Sequence, residues 1–275
     1  MARENLVLLH GQIQATPKIY MSTEGELTRA ITAVKVLRRP YLTVSGDVVG
    51  GKLYVDCPII MTGNKELIAQ IKEMEKGDMV DIRGVITTRE VVKSTLCQSC
   101  GHKNSVQGNS VYVTPIYICR REQKLDSVAG FELLKQRNEI SNLAILIGTL
   151  CRAPQVYTDQ DRAVTQFQIA VNRKIYLRDN KDSARTDYPW IKSYGKQAKQ
   201  DSLRLQEGAS VYVCGGIQTR EIARAFTCEK CGAKYSWKDM AVEIIPYSVE
   251  YLLGCLFPER EDPEKRGEKL EEKKE

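Results

Sequence analysis

The chain has 275 residues, 42% of them hydrophobic, and 41 basic against 35 acidic side chains give a formal net charge of +6. That length suits roughly two domains with packed cores. No run approaches the roughly 20 apolar residues of a membrane span, and residues 6–9 are too short an apolar stretch for a signal peptide. Nine cysteines without a secretion signal argue against a disulfide framework and for a reducing, cytoplasmic setting. Two histidines, no phosphate loop, no nucleophile elbow and no paired acidic motif point away from an enzyme. A basic body suits a polyanionic partner, as it also suits many plain enzymes.

In chain order, one pattern is written twice. Asn5-Leu-Val-Leu-Leu-His-Gly11 returns as Asn142-Leu-Ala-Ile-Leu-Ile-Gly148; Pro17, Tyr20 and Ala33-Val34 return as Pro154, Tyr157 and Ala170-Val171, all 137 residues later. Asp56, Pro58, Gly77 and Gly84 return as Asp187, Pro189, Gly208 and Gly215 at an offset of 131. The first copy therefore carries six extra residues between about 36 and 55, which predicts a surface loop there. The recurring Asp56 and Asp187, one acid per repeat at a strand position, read as structural.

Periodicity within each copy is mostly two. Phe167, Ile169 and Val171 alternate with Gln168, Ala170 and Asn172, as in a half-buried strand; Ala30, Thr32 and Val34 form the looser match. Val80-Asp-Ile-Arg83 and Val211-Tyr-Val213 are also β-rich. Residues 64–76 instead place Leu67, Ile68, Ile71 and Met74 on one helical face, and residues 195–207 do so more weakly with Ala198, Ser202 and Leu205. Gly77 and Gly208 then stand as left-handed helix stops. The predicted order is three strands, a helix and two strands, twice over. That is the order of an OB-fold, a five-stranded Greek-key barrel, with another small barrel or sandwich as the alternative. Val128, Phe131, Leu133 and Leu134 give a helical connector between copies. The expected organisation is all-β with short helices: a first OB-fold over 1–121, a connector over 122–141, a second OB-fold over 142–258 and a charged disordered tail over 259–275. That tail holds eight acids and six bases, so the rest of the chain carries about +8.

After strand four both copies read Thr-Arg-Glu, six mixed residues, then Cys-x-x-Cys-Gly. These are Thr88 to Gly101 and Thr219 to Gly232, again 131 apart. Each thiol pair is half of a knuckle that grips zinc, and a closed tetrahedral site needs two halves. Cys97, Cys100, Cys228 and Cys231 are the expected ligands of a structural zinc, sited on the strand 4–5 hairpins. They meet either within one chain or across a dimer, and internal symmetry favours one zinc per chain. His102 could add a ligand to the first pair. A redox dithiol is the rival chemistry, but such pairs usually open a helix in an α/β fold. Cys57, Cys119, Cys151, Cys214 and Cys255 read as buried small hydrophobes.

The second copy resembles bacterial single-stranded DNA-binding proteins. Residues 142–154 are similar to their opening strand, Phe167-Gln-Ile-Ala-Val171 to the second, and Asp187-Tyr-Pro-Trp-Ile-Lys-Ser-Tyr-Gly-Lys196 to the third with its turn into the helix. Residues 207–220 are similar to strand four. The resemblance spans 142–252 and, more faintly, 5–120. It implies OB-folds that bind single-stranded DNA with little sequence choice, in replication, recombination or repair. Some members carry two OB-folds per chain and form homodimers that present four. The family's acidic C-terminal tip, which recruits partners, is not found here, and the Cys-x-x-Cys insertions depart from the common pattern.

Such binding needs aromatic faces for bases and cations for phosphates. Tyr188, Trp190, Lys192 and Tyr194 share one face of a strand, and the resemblance puts that face on the DNA; barrel core or a dimer contact is the bland alternative. The same row in copy one is Cys57, Ile59, Met61 and Gly63, without a ring, so copy one is expected to be the poorer platform. Candidate phosphate contacts follow strand two: Arg173, Lys174, Arg178, Lys181 and Arg185 around Tyr176, and Lys35, Arg38 and Arg39 before Tyr41. Arg89 and Arg220 sit at the ends of strand four. A protein-interaction (primosome-type) module and an RNA-binding module are the alternative functions, since stacking does not distinguish sugars.

Overall fold

The computed structural model describes residues 3–40, 53–159, 162–175, 177 and 185–257. Tyr41, Tyr176, Arg178, Lys181 and the charged tail lie outside the described residues. The first copy runs β1 (Glu4–Ile13), β2 (Lys18–Met21), β3 (Leu27–Arg38), β4 (Tyr54–Asp56), β5 (Ile59–Thr62), α1 (Lys65–Lys72), β6 (Met79–Leu96) and β7 (Lys103–Glu122). Two helices follow, α2 (Ser127–Gln136) and α3 (Asn138–Ser141). The second copy runs β8 (Asn142–Leu150), β9 (Gln155–Asp159), β10 (Arg162–Asn172), β11 (Thr186–Asp187), β12 (Trp190–Tyr194), α4 (Gly195–Arg204), β13 (Ser210–Thr227) and β14 (Lys234–Leu253). No helix among the described residues is long and apolar enough to cross a membrane.

Each copy closes a five-stranded ring. In the first, β1 pairs with β3, β3 with β5, β5 with β7 in parallel, β7 with β6, and β6 with β1. In the second, β8, β10, β12, β14 and β13 close in the same way, with β12 and β14 again parallel. These are two OB barrels. Alternation fills them: Phe167, Ile169 and Val171 from β10 are fully buried, as are Val34, Val36 and Ile60 in the first barrel. Each such side chain contributes about 1.5–3 kcal/mol on burial.

The barrels are joined edge to edge. β1 pairs antiparallel with β8, so one 14-stranded sheet runs through both. Val7 lies opposite Ala144, its own counterpart in the repeat, so a pseudo-two-fold axis passes through that pair. Polar groups follow the same symmetry. Asp56 Oδ1 accepts from Thr219 N at 2.7 Å, and Asp187 Oδ1 accepts from Thr88 N at 2.9 Å. The threonine hydroxyls return the contact by accepting from Cys57 N and Tyr188 N, each at 2.8 Å. The repeated aspartates and the threonines of Thr-Arg-Glu thus fasten each barrel to the other.

The strand registers divide the six-residue length difference. Ile13 pairs with Val34, whereas its counterpart Leu150 pairs with Ile169. The equivalence in β3 and β10 is therefore 135, not 137. Two extra residues fall in the β2–β3 turn and four between Arg38 and Asp56, where a connection absorbs length without disturbing a ladder. This corrects the alignment so that Arg38 and Arg173 become equivalent.

The helices differ from expectation in detail. Asn64 caps α1 by accepting from Glu66 N and Leu67 N, and Leu67, Ile68 and Ile71 are buried as predicted. The helices stop at Lys72 and Arg204; Gly77 and Gly208 do have positive φ (96° and 81°), but in the turns into β6 and β13. In α4 it is Asp201, not Ser202, that joins Ala198 on the inner face. Asp201 Oδ1 accepts from Tyr251 Oη at 2.6 Å and from Gln197 Nε2 at 2.8 Å, while Oδ2 has no partner among the described residues.

Two outcomes are expected. Asp187→Ala leaves Arg173 buried without its counter-charge and should cost about 3–5 kcal/mol, read by chemical denaturation. Burial raises the Asp201 pKa. Its ionisation therefore opposes folding, a cost absent below the ordinary carboxylate pKa and growing as pH rises toward the raised one. Asp201→Asn should accordingly raise the melting temperature at pH 7, with the gain shrinking as pH falls through the carboxylate range.

Candidate nucleic-acid interface and metal centre

β12 sets the candidate binding face. Asp187, Ile191 and Ser193 are fully buried, so Tyr188, Trp190, Lys192 and Tyr194 turn outward from the barrel. Tyr188 is 48% exposed. Barrel core is thereby excluded for this row. Cations lie over the rings: Lys192 Nζ is 5.8 Å from the Tyr194 centroid, and Arg152 Cζ is 5.5 Å from that of Trp190. Arg152 was not among the sequence candidates; it is held by Gln168 Oε1 at 3.0 Å across a turn that periodicity does not mark. In the first barrel Cys57 and Ile59 face outward in the same way, without a ring. Cys57 is thus exposed and Cys119, Cys151, Cys214 and Cys255 are only half-buried, contrary to expectation.

The expected phosphate contacts divide into two groups. Arg173 is sequestered: its Nε and Nη2 reach Asp187 at 2.5 and 2.6 Å. Arg38 pairs with Asp56 at 2.8 Å, both 2% exposed. Desolvation outweighs Arg38 and leaves the Asp56 pKa raised. These two arginines compensate buried acids and are withdrawn from the phosphate set. Arg39 stacks on Tyr247 of the other barrel at 4.2 Å and pairs with Glu139 at 2.6 Å. Lys35 is buried beside Ser127. Lys174 reaches Glu4 at 2.7 Å, and Arg220 reaches Glu243 at 3.0 Å while remaining 44% exposed. Arg89 and Arg220 do not end their strands: β6 and β13 run on to Leu96 and Thr227. The β-branched run Val91-Val92-Lys93-Ser94-Thr95 carried that signal.

Those extensions form two arms, β6–β7 and β13–β14. They meet where Asp239 accepts from Lys93 Nζ of the other arm at 2.5 Å and from Arg224 Nε of its own at 2.6 Å. Burial alone would raise the Asp239 pKa, but the two cations hold it below the usual range. A cleft of about 750 Å³ lies between the first arm and the second barrel, lined by Trp190, Trp237, Lys93 and Arg224 among others. A second, of about 840 Å³, shares Trp190 and reaches Tyr188, Arg152 and Arg89. The first barrel's own groove, about 320 Å³, is lined by Met61 and Tyr112.

At the arm tips the four knuckle thiols come together within one chain, every sulfur within 4.8 Å of the others. Cys97 lies 3.7 Å from Cys231, and Cys100 lies 3.7 Å from Cys228. Disulfides would draw these to about 2.05 Å, whereas the edge of a tetrahedron with metal–sulfur bonds of about 2.3 Å is close to 3.8 Å. Burial raises the Cys228 pKa, but the N–H groups of Cys231 and Lys230 and the Asn104 amide bring it down to about 6. The Ala233 N–H favours the Cys231 thiolate, yet the neighbouring sulfurs and burial push that thiol up to about 12. Four sulfurs this close cannot all be anionic without a cation among them, so the donor set fits a tetrahedral metal ion. His102 contributes its carbonyl, which accepts from Cys97 N at 2.9 Å, and does not add a ligand to the first pair.

Residues 141–231 match the model of the single-strand binding protein family. The match falls on the second barrel. Over 106 residues the chain is 24% identical to the single-stranded DNA-binding protein of Staphylococcus epidermidis, covering 38% of this chain and 75% of that one. The whole fold is similar to the single-stranded DNA binding protein from Thermus aquaticus. The wild type gives a TM-score of 0.56 at 18% identity, over 96% of this chain and all of that one; a deletion variant gives 0.57 at 20%, over 94% and 100%. The family match covers the ring-bearing copy, and the likeness of fold extends to the ring-poor one.

Asp239→Ala removes the contact that ties the arms below the thiol cluster. Amide hydrogen exchange in both arms should accelerate, while the buried strands β1 and β8 keep their protection.

Proposed function

We propose that the chain binds single-stranded DNA, largely irrespective of sequence, by stacking bases on the second barrel and pairing phosphates with the cations around it. The observation that carries this is the outward row Tyr188, Trp190, Lys192 and Tyr194 on the barrel that matches the single-strand binding protein family. Rings accept any base face, and the lysine adds charge without reading sequence. Arg152, Arg220 and Lys174 are the exposed or half-exposed cations best placed to follow a backbone, with Arg89 lining the shared cleft. The first barrel serves chiefly as framework. Such a protein acts in replication, recombination or repair as a binder without catalysis, and two chains together present four barrels.

Cys97, Cys100, Cys228 and Cys231 would hold one structural zinc per chain. With all four positions filled by protein the ion has no open site for chemistry; it staples the arm tips and fixes the angle between the grooves.

Titration against single-stranded DNA, duplex and RNA over a salt series tests the first reading. Single strands should be preferred over duplex, with a log–log slope of about −0.7 per phosphate neutralised. Trp190→Ala should weaken binding by roughly 1–3 kcal/mol. Equal affinity for duplex overturns it, and a preference for RNA replaces the ligand. Metal analysis should find one zinc per chain, lost in Cys228→Ser; four freely titrating thiols without metal reject the site.

A further inference from the structure

We infer that the first barrel's arm is the opposite wall of the second barrel's groove, and that its Glu90–Asn109 pair hydrogen-bonds the edge of a base stacked on Trp190. This rests on the single-strand reading above. Glu90 and Asn109 are cross-strand neighbours on β6 and β7, both exposed, and both line the two clefts that meet at Trp190. Among the described residues no hydrogen bond or ion pair engages either side chain.

The second arm lacks this pair. Its equivalent is Glu221 opposite Met240. Glu221 is held by Lys238 at 2.8 Å, and a thioether is at most a weak acceptor. The other acids of the cleft that holds Trp237 are compensated: Glu243 by Arg220 and Lys192, Asp239 by Lys93 and Arg224. This uncompensated acid and its amide neighbour belong to the first barrel's arm and line the clefts together with the second barrel's Trp190.

Its chemistry selects what it touches. A carboxylate repels phosphate, so the couple does not hold a backbone. A carboxylate beside an amide offers acceptors and a donor together, which is what a Watson–Crick edge matches. Every base carries at least one N–H on that edge, so the contact tolerates sequence while fixing the base on its ring. The strand then passes between the barrels, and the ring-poor copy takes part in binding without a ring of its own.

The test uses the full chain and a single-stranded oligonucleotide. Asn109→Ala should weaken binding about three- to tenfold, the range of one lost hydrogen bond. Its salt slope should match the parent's, because no phosphate contact is lost. Combined with Trp190→Ala, the losses should fall short of additive, since both hold one base. An unchanged affinity, or losses that add in full, overturns the inference. A second measurement leaves the chain unaltered: an oligonucleotide carrying photoreactive halogenated uracil is crosslinked and the peptides are sequenced. Crosslinks to both the Trp190 peptide and residues 106–111 support the shared groove. Crosslinks to the Trp190 peptide alone sink it while leaving the single-strand function standing. Failure of the parent to bind single strands removes that function and the inference with it.

Discussion

The antiparallel pairing of β1 with β8 is the constraint from which the rest follows. An unpaired edge strand exposes a row of amides and carbonyls, and each barrel resolves its exposure by using the other. Because the two strands are copies of one sequence, the register that buries both apolar faces puts Val7 opposite its own counterpart Ala144. A symmetric register at one edge gives symmetric placement everywhere else. The Asp–Thr clamps occur in mirrored pairs for that reason, and so do the arms, whose tips are brought face to face with two thiols each.

Buried charge is the second organising element. Asp56 and Asp187 are buried where the barrels meet, and a buried carboxylate is tolerated only when its oxygens are filled. Arg38 or Arg173 from the same barrel and a threonine N–H from the other fill them. Such a pair adds little net stability over an apolar substitute, but a misregistered junction would leave it unmatched. The same pairing takes Arg38 and Arg173 out of the set of available cations.

Within this symmetric frame the copies have diverged. The outward row of β12 carries three rings, where β5 and its approach carry none. At the thiol cluster, Asn104 of one arm and its repeat counterpart Tyr235 of the other hydrogen-bond to each other at 3.0 Å, and Asn104 also contacts the Cys228 sulfur at 3.6 Å. A shared centre between unequal arms, and a groove walled by both, make the two barrels one binding body rather than two independent modules.

Much of this was legible in the sequence because it depends on local rules. Period-two alternation marked Phe167, Ile169 and Val171 as inward, and the same rule turned Tyr188, Trp190, Lys192 and Tyr194 outward. Repeat spacing identified four thiols at two equivalent places. Tertiary structure alone decided what depends on neighbours distant in sequence. That the thiols meet within one chain follows from the β1–β8 junction, which no local pattern encodes. Arg38 and Arg173 resemble loop cations by composition, and only the apposition of buried aspartates takes them out of solvent. Ser202 suited the helical face by spacing, but Asp201 occupies it because Tyr251 and Gln197 come from elsewhere to satisfy its carboxylate. Glu90 and Asn109 come to line a cleft with Trp190 only through the placement of the arm that carries them.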